Sequence, residues 1–407
     1  SDSDKKSYSI MAKKINENNA IKFVSIQHEF GIFGGDMGEY LIGFLRTLNK
    51  PKIITFHSIL PNPSPKRKEI VKAIAENVDE IIVMTKTGVD ILGTDYGINE
   101  NIKLIPHGIP NVQFEKQLSI KKNLGYEGRT ILSSFGMISS GKGYEYVIDA
   151  LPEIVKTYPN LLYLIVGATH PNIRKEEGES YRNFLAKRVK ELGLENNVKF
   201  YNKYVTLKEI IYFLKASDIY ISSSLTPEQI TSGTLAYAMG CGRAAISTPF
   251  IHAKDLINSE RGVLVDGFRN SESFKKALLS IFGDKKKLRD IEMNSYEYTR
   301  HMTWPNVAIS YGELIKKYVK MPSIFFEQLP KINVSHIKKM TDNFGVIQFA
   351  KYNTPNINSG YTLDDNARAL IIASQLYSKS RDKKFLEMAR TYLDYIKYVQ
   401  DDDGKLY

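Results

Sequence analysis

Residues 131–145 read ILSSFGMISSGKGYE. An apolar run, Ile131-Leu132 and then Phe135, empties into a turn bearing Gly136, Gly141 and Gly143, and an amphipathic helical pattern comes next with Lys142 in its first turn. A strand, a turn that glycines tighten and a helix start aim backbone N–H groups at one point, and the lysine adds a cation beside them. Such an arrangement is an anion cradle. It misses the phosphate-binding loop G-x-x-x-x-G-K-[ST] at one position, because Gly143 stands where the hydroxyl that holds Mg²⁺ belongs.

The same grammar continues on both sides. Downstream, strands at Leu161–Val166, Val198–Tyr201, Ile219–Ser223, Ala244–Ser247 and Val263–Val265 alternate with helices through Arg182 and Leu192, over Leu207–Ala216 and over Gly233–Met239; a polar loop spans 168–180, and Pro227-Glu228-Gln229 precedes the last helix. Upstream, strands are expected at Ile21–Ile26, Lys52–Phe56, Glu80–Met84 and Ile102–Ile105. Gln27-His28 and the glycine-rich Gly31–Gly38 come after the first of these, and His57 comes directly after the second. Strands alternating with helices predict parallel sheets covered on both faces, with ligands outside the carboxyl ends of the strands. Past Met321 the pattern turns helical, most clearly over Ala367–Leu376 and Phe385–Val399. Two such helices bury an apolar face poorly, so a helical domain continuing beyond Tyr407 is expected.

A chain of 407 residues implies two or three domains, and 43% hydrophobic with 25% charged residues excludes the disordered class. The net charge of +11 is spread over lysines such as Lys285–Lys287, Lys316, Lys317 and Lys320, a solvated basic surface rather than a nucleic-acid tract. Acidic ligands and peripheral association with an anionic membrane are its alternative partners. One cysteine, Cys241, excludes an internal disulfide framework and fits a reducing cytoplasm; no leader pattern or membrane-spanning apolar run is visible. An NTPase is excluded by Gly143 and by the strands at Leu161 and Ile219, which end in Gly167 and Ser222–Ser224 without a carboxylate. Gly136, Gly141 and Gly143 lack the G-x-G-x-x-G spacing of a dinucleotide-binding dehydrogenase.

Several motifs together resemble the retaining glycosyltransferases of family 4, the GT-B group that includes sucrose synthase and glycogen synthase-like enzymes. Phe135-Gly136-Met137-Ile138-Ser139-Ser140-Gly141-Lys142-Gly143 is similar to F-G-R-x-x-x-x-K-G, Ile105-Pro106-His107-Gly108 to I-P-N-G, and Ala238-Met239-Gly240-Cys241-Gly242 to A-M-A-C-G. PEQITSGTLAYAM, residues 227–239, stands where that family carries E-x7-E. The resemblance covers roughly Ile21 to Val319 and departs at two places. Met137 replaces an arginine that contacts the donor diphosphate, and the two glutamates of the signature fall on Gln229 and Tyr237, with Glu228 one residue early.

The resemblance implies an α/β GT-B fold: Rossmann-like doubly wound domains at 1–110, incomplete at its start, and 111–303, facing one cleft. A helix at 304–320 crosses back to the first domain, and a partial helical (α/α) segment occupies 321–407. It implies a hexosyltransferase that takes a nucleotide-diphosphate sugar as donor and a carbohydrate or glycolipid as acceptor, with no metal and no other cofactor. His57, Lys142 and Glu228 are the catalytic candidates. Gly34, Gly35, Gly136, Met137, Gln229, Thr231, Ser232, Gly233 and Tyr237 are candidates for holding the donor, and His28 and His170 for contacting sugar or acceptor. The residues leave two alternatives open: a non-catalytic sugar or nucleotide binding module, and a glycoside phosphorylase that uses phosphate in the same cradle.

Overall fold

The structure, a computed structural model, describes residues 4–114, 118–320 and 332–406. It falls into two compact units, 1–322 and 323–407. The first unit holds two lobes, each built on a parallel sheet.

In the first lobe β1 (Val24–His28), β2 (Lys52–Phe56), β3 (Glu80–Val83) and β4 (Ile102–Leu104) pair in the order β1-β2-β3-β4. Every crossover steps the same way, and right-handed crossovers then lay the connecting helices on one face. There Leu41, Leu45, Ile70, Val71 and Ile74 pack on Ile26, Ile54 and Ile81. The opposite face is covered from far along the chain: Ile53, Ile82 and Ile105 meet Val307 and Leu314 of the helix Trp304–Ile315. Polar contacts fix that helix and the turn after it. Thr55 Oγ1 and Tyr311 OH share a hydrogen bond of 2.9 Å, and Lys317 Nζ donates at 2.8 Å to the buried carboxylate of Glu80. The strand expected at Ile21–Ile26 is displaced toward its C-terminus. His28 belongs to it, because β1 pairs with β2 through to Phe56.

In the second lobe β5 (Thr130–Phe135), β6 (Leu161–Val166), β7 (Val198–Tyr201), β8 (Ile219–Ser222), β9 (Ala244–Ser247) and β10 (Gly262–Leu264) form a parallel sheet in the order β10-β9-β8-β5-β6-β7. Alternate residues of the central strands feed opposite cores, Leu132 and Ile165 one, Ile131 and Leu164 the other. The direction of winding reverses between β5 and β8, so a crevice opens at their carboxyl ends. Two details differ from the sequence reading. Lys142 does not lie in the first turn of the following helix: Ser140–Lys142 form a 3₁₀ turn, Gly143 takes a left-handed φ of 60°, and the helix runs Tyr144–Thr157. A β-carbon on Gly143 would come within 2.6 Å of Ser223 O, so this kink needs glycine. The expected loop at 168–180 contains a helix, Pro171–Glu176, with His170 as its N-cap and proline at its start.

The second unit packs helices Leu363–Ser380 and Lys383–Tyr398 around Ala369, Ala373, Ala389 and Tyr392, with Met340, Val346 and Ile347 against them. Buried Asn366 accepts from Val346 N at 2.9 Å and donates to Thr362 O at 2.9 Å. Asp364 and Asp365 open the longer helix and pair with Arg368 one turn on. No helix among the described residues is long and apolar enough to cross a membrane.

Candidate functional site

The cleft in the first unit is built where strand ends from both lobes converge. β5 runs into Gly136 (φ 140°) and β6 into Gly167 (φ 151°). A β-carbon on Gly167 would lie 1.9 Å from Gly136 O, so only glycine lets the two turns nest. Beyond the nest Ile138 N donates to Ala168 O at 2.9 Å, and the chain bends into the turn that carries Lys142. The backbone of that turn is tied to the end of β8, since Ser223 Oγ donates to Lys142 O at 2.7 Å. The Lys142 side chain folds back over Gly136, where an added β-carbon would sit 3.7 Å from Nζ. Its ammonium makes no ion pair or hydrogen bond to any described residue, and burial holds its pKa below the ordinary 10.5.

The other wall is the loop from Thr226 to Ser232 and the helix Gly233–Gly240 behind it. Ser232 caps the helix through its side chain. Geometry leaves the N–H groups of Gly233 and Thr234 without intrahelical acceptors, at the positive end of the helix dipole. The loop is braced from within: Ser224 Oγ donates to Gln229 Oε1 at 2.7 Å, and Gln229 Nε2 donates to Thr231 O at 3.0 Å. It is braced from behind by His252, whose Nδ1 accepts from Ser232 N at 2.7 Å while its own backbone N–H donates to Gln229 O at 3.1 Å. Burial, reinforced by nearby His107, pushes the His252 pKa down to about 3. His107 lies against the helix start, its Nε2 3.0 Å from where a Gly233 side chain would begin. The Tyr237 ring stands edge-on to His107 at 5.6 Å.

The first lobe contributes His57, Ser58 and Leu60. His57 Nε2 and Gln27 Oε1 are 2.8 Å apart, and the His57 pKa is lowered by burial against an opposing pull from Glu29. With Gly141, Lys142, Ser224, Glu228, Gln229 and Thr231 these residues line a cavity of about 340 Å³ between the lobes. Lys142 and Glu228 are the charged side chains on that lining. A recess of about 20 Å³ lies beside it, walled by Lys142, Tyr144, Ser222–Ser224, Ser232 and Thr234. The lobes are stitched together by Thr87 Oγ1 donating to Asp255 at 2.6 Å and by Ile230, which enters the first lobe's core.

Residues 115–298 match the family model described as glycosyl transferases group 1. The match falls on the second lobe. Mannosylfructose-phosphate synthase of Agrobacterium fabrum is 26% identical over 272 residues, covering 61% of this chain and 55% of that protein. The chain thus spans little more than half the length of this curated relative. Among solved structures, HepE of Anabaena in complex with UDP superposes with a TM-score of 0.62 at 17% identity, over 76% of this chain and 82% of that one. Sucrose-phosphate synthase of Thermosynechococcus elongatus superposes with a TM-score of 0.63 at 19% identity, over 77% of each. These likenesses establish the GT-B fold.

The cleft and its recess gather Lys142, Glu228, Gln229, Thr231 and Ser232, with His57 facing them; Gly136 lies under the Lys142 side chain and Gly233 opens the helix behind the loop. Other candidates lie elsewhere. Met137 is 40% exposed and is absent from the cleft lining. His170 is occupied as a helix cap, accepting from Asn172 N at 3.2 Å. His28 is fully buried among Phe30, Phe33 and Phe56. Gly35 (φ 81°) serves a turn, since a β-carbon there would come within 2.7 Å of Glu39 and Tyr40, and Gly34 N donates to Tyr8 OH at 2.7 Å. Two details of the signature loop also change. The Ser232 amide is committed to His252, so it is not free to meet a ligand, and the Gln229 side chain braces the loop. Ser224 and Thr234 wall the cavities and His252 braces the loop, and the sequence reading singles out none of them. They lie after or beside strand ends, but no motif marks them.

Proposed function

We propose that this chain is part of a retaining family 4-like glycosyltransferase that moves a hexose from a nucleotide-diphosphate sugar to a carbohydrate or lipid-linked hydroxyl. The observation that carries this reading is the unpaired, partly buried ammonium of Lys142 in an inter-lobe cavity beside a helix N-terminus. A buried cation with no counter-ion is costly, and an anionic ligand relieves the cost. Lys142 and the Gly233 and Thr234 amides meet the diphosphate. As the bond from the sugar's anomeric carbon to the phosphate oxygen breaks, these fixed donors stabilise the charge growing on the leaving group. The acceptor oxygen bonds to that carbon on the same face, and its proton passes to the departing phosphate. Glu228 faces the sugar hydroxyls and His57 touches the sugar from the first lobe. The reading calls on no metal, since lysine and helix supply the positive potential.

Calorimetry with UDP-, GDP- and ADP-sugars and with inorganic phosphate, then NMR of the released sugar, tests it. Binding of one nucleotide sugar with slow hydrolysis to the retained anomer is the expected result. Binding without turnover assigns a binding module instead, and a requirement for phosphate plus a disaccharide assigns a phosphorylase.

A further inference from the structure

His252 lies outside the cleft lining, fully enclosed, and no step of the proposed reaction uses it. Its two hydrogen bonds nevertheless close a ring across the signature loop: Ser232 N–H to Nδ1 at 2.7 Å, and His252 N–H to Gln229 O at 3.1 Å. Gln229 and Ser232 bracket the Ile230-Thr231 segment, and Ser232 is the residue from which the helix Gly233–Gly240 starts. We propose that His252 is a positioning residue: its neutral imidazole, by accepting the Ser232 amide, fixes the direction in which the Gly233 and Thr234 amides point into the cleft. This rests on the donor reading given above.

Three observations lead there. The acceptor role requires an unprotonated Nδ1, and the buried setting keeps the ring neutral throughout the physiological range. A protonated ring would have no lone pair for the amide and would set a cation behind a helix N-terminus, where the dipole opposes it. The helix start is also held from the other side. His107 donates from Nδ1 to Gly108 O at 2.9 Å, and its Nε2 lies 3.0 Å from where a Gly233 side chain would begin. The loop therefore sits between two uncharged imidazoles, one fixing its hydrogen bonding and one fixing its distance. Backbone donors aimed at a growing charge lose effect steeply with misdirection, so holding the loop governs transition-state stabilisation.

The test uses the chain with His252→Asn, whose side-chain oxygen replaces Nδ1 as acceptor, and His252→Phe, which keeps a ring and lacks one. UDP and uridine affinities are measured by calorimetry, and amide hydrogen exchange at Ser232 by NMR. His252→Phe is expected to weaken UDP at least tenfold while changing uridine less than twofold, and to expose the Ser232 amide to exchange. His252→Asn is expected to restore both to within threefold of the wild type. Parallel losses of UDP and uridine, or a His252→Phe chain that binds UDP normally, overturn the proposal. A wild-type chain that binds no nucleotide refutes the donor reading. The positioning claim then stands if Ser232 exchange rises in His252→Phe and recovers in His252→Asn, and falls if it does not.

Discussion

Lys142→Met separates what the lysine does for binding from what it costs the fold. The ammonium has no carboxylate among the described residues and burial lowers its pKa, so neutralising it removes a desolvation cost. Unfolding free energy should rise by about 1 kcal/mol, the usual gain when a functional group held against its own stability is replaced. Turnover should fall in the same variant. A phosphate charge about 4 Å from the ammonium, at an effective dielectric near 20, is worth about 4 kcal/mol, and removing one such donor from an oxyanion site costs about 3 kcal/mol. That corresponds to a loss of roughly a hundredfold in kcat. Urea unfolding and donor hydrolysis on the same preparations give both numbers. The sign with pH is also fixed. The folded-state pKa lies below the ordinary 10.5, so the unfolded chain binds more protons just under that pH. Wild-type stability therefore rises there relative to Lys142→Met, and the gap between them closes. A variant that is less stable and equally slow would make Lys142 a structural residue. One with unchanged turnover would remove it from the reaction.

Acid should weaken the first unit through its buried histidines. The pKa of His28 is pushed down to about 4 and that of His252 to about 3, from 6.5, so below pH 6.5 the unfolded chain takes up protons that the folded one refuses. Each group then costs up to about 1.4 kcal/mol per pH unit, about 2 kcal/mol at pH 5, and urea titrations should show that slope flattened in a His28→Phe, His252→Asn double variant. Gly167→Ala, with its β-carbon 1.9 Å from Gly136 O, should cost about 3 kcal/mol or more in thermal unfolding and weaken UDP binding. Gly178→Ala, at φ 64° with nothing within 4 Å, should cost only about 1 kcal/mol. Lys317→Ala leaves the Glu80 carboxylate buried with only Tyr318 OH, at 3.2 Å, beside it. It should destabilise by about 2 kcal/mol in urea, while Lys316→Ala, whose partner Glu313 is exposed, should change little.

Strands β6 and β9 end where the apolar runs at Leu161–Val166 and Ala244–Ser247 end, because a strand buried on both faces has no polar alternation to blur its limits. Lys142 was legible for a similar reason: glycines clustered at a strand end mark a tight turn, and a lysine inside such a turn has few places to point. Whether Gly143 continues a helix or kinks it was not legible, since that depends on Ser223 O approaching from a strand distant in sequence. The same limit bears on the covering of the first sheet, which the resemblance implies and no local pattern shows. Val307 and Leu314 read as an apolar stripe, but nothing local says that the stripe fits Ile53, Ile82 and Ile105. Gly34 and Gly35 show the limit differently, because a glycine-rich loop at a strand end looks the same whether its freedom serves a ligand or a turn, and at Gly35 the close approach of Tyr40 already requires glycine.

His28, His57, His107 and His252 all have lowered pKa values with burial as the leading cause; His57 further depresses His28 and His107, and His107 depresses His252. Near neutral pH they add no charge to the floor of the cleft. Positive potential there then comes from Lys142 and from the start of the helix Gly233–Gly240, which stay fixed while a substrate reacts. A cleft charged by histidines would gain affinity for anions as pH fell toward 6. In this one, burial holds the His57 that lines the cavity below the ordinary 6.5, so anion affinity should change little as pH falls from 8 toward 6. A tenfold rise in UDP affinity between pH 8 and pH 6 would show that at least one of these imidazoles carries the charge that the geometry assigns to Lys142.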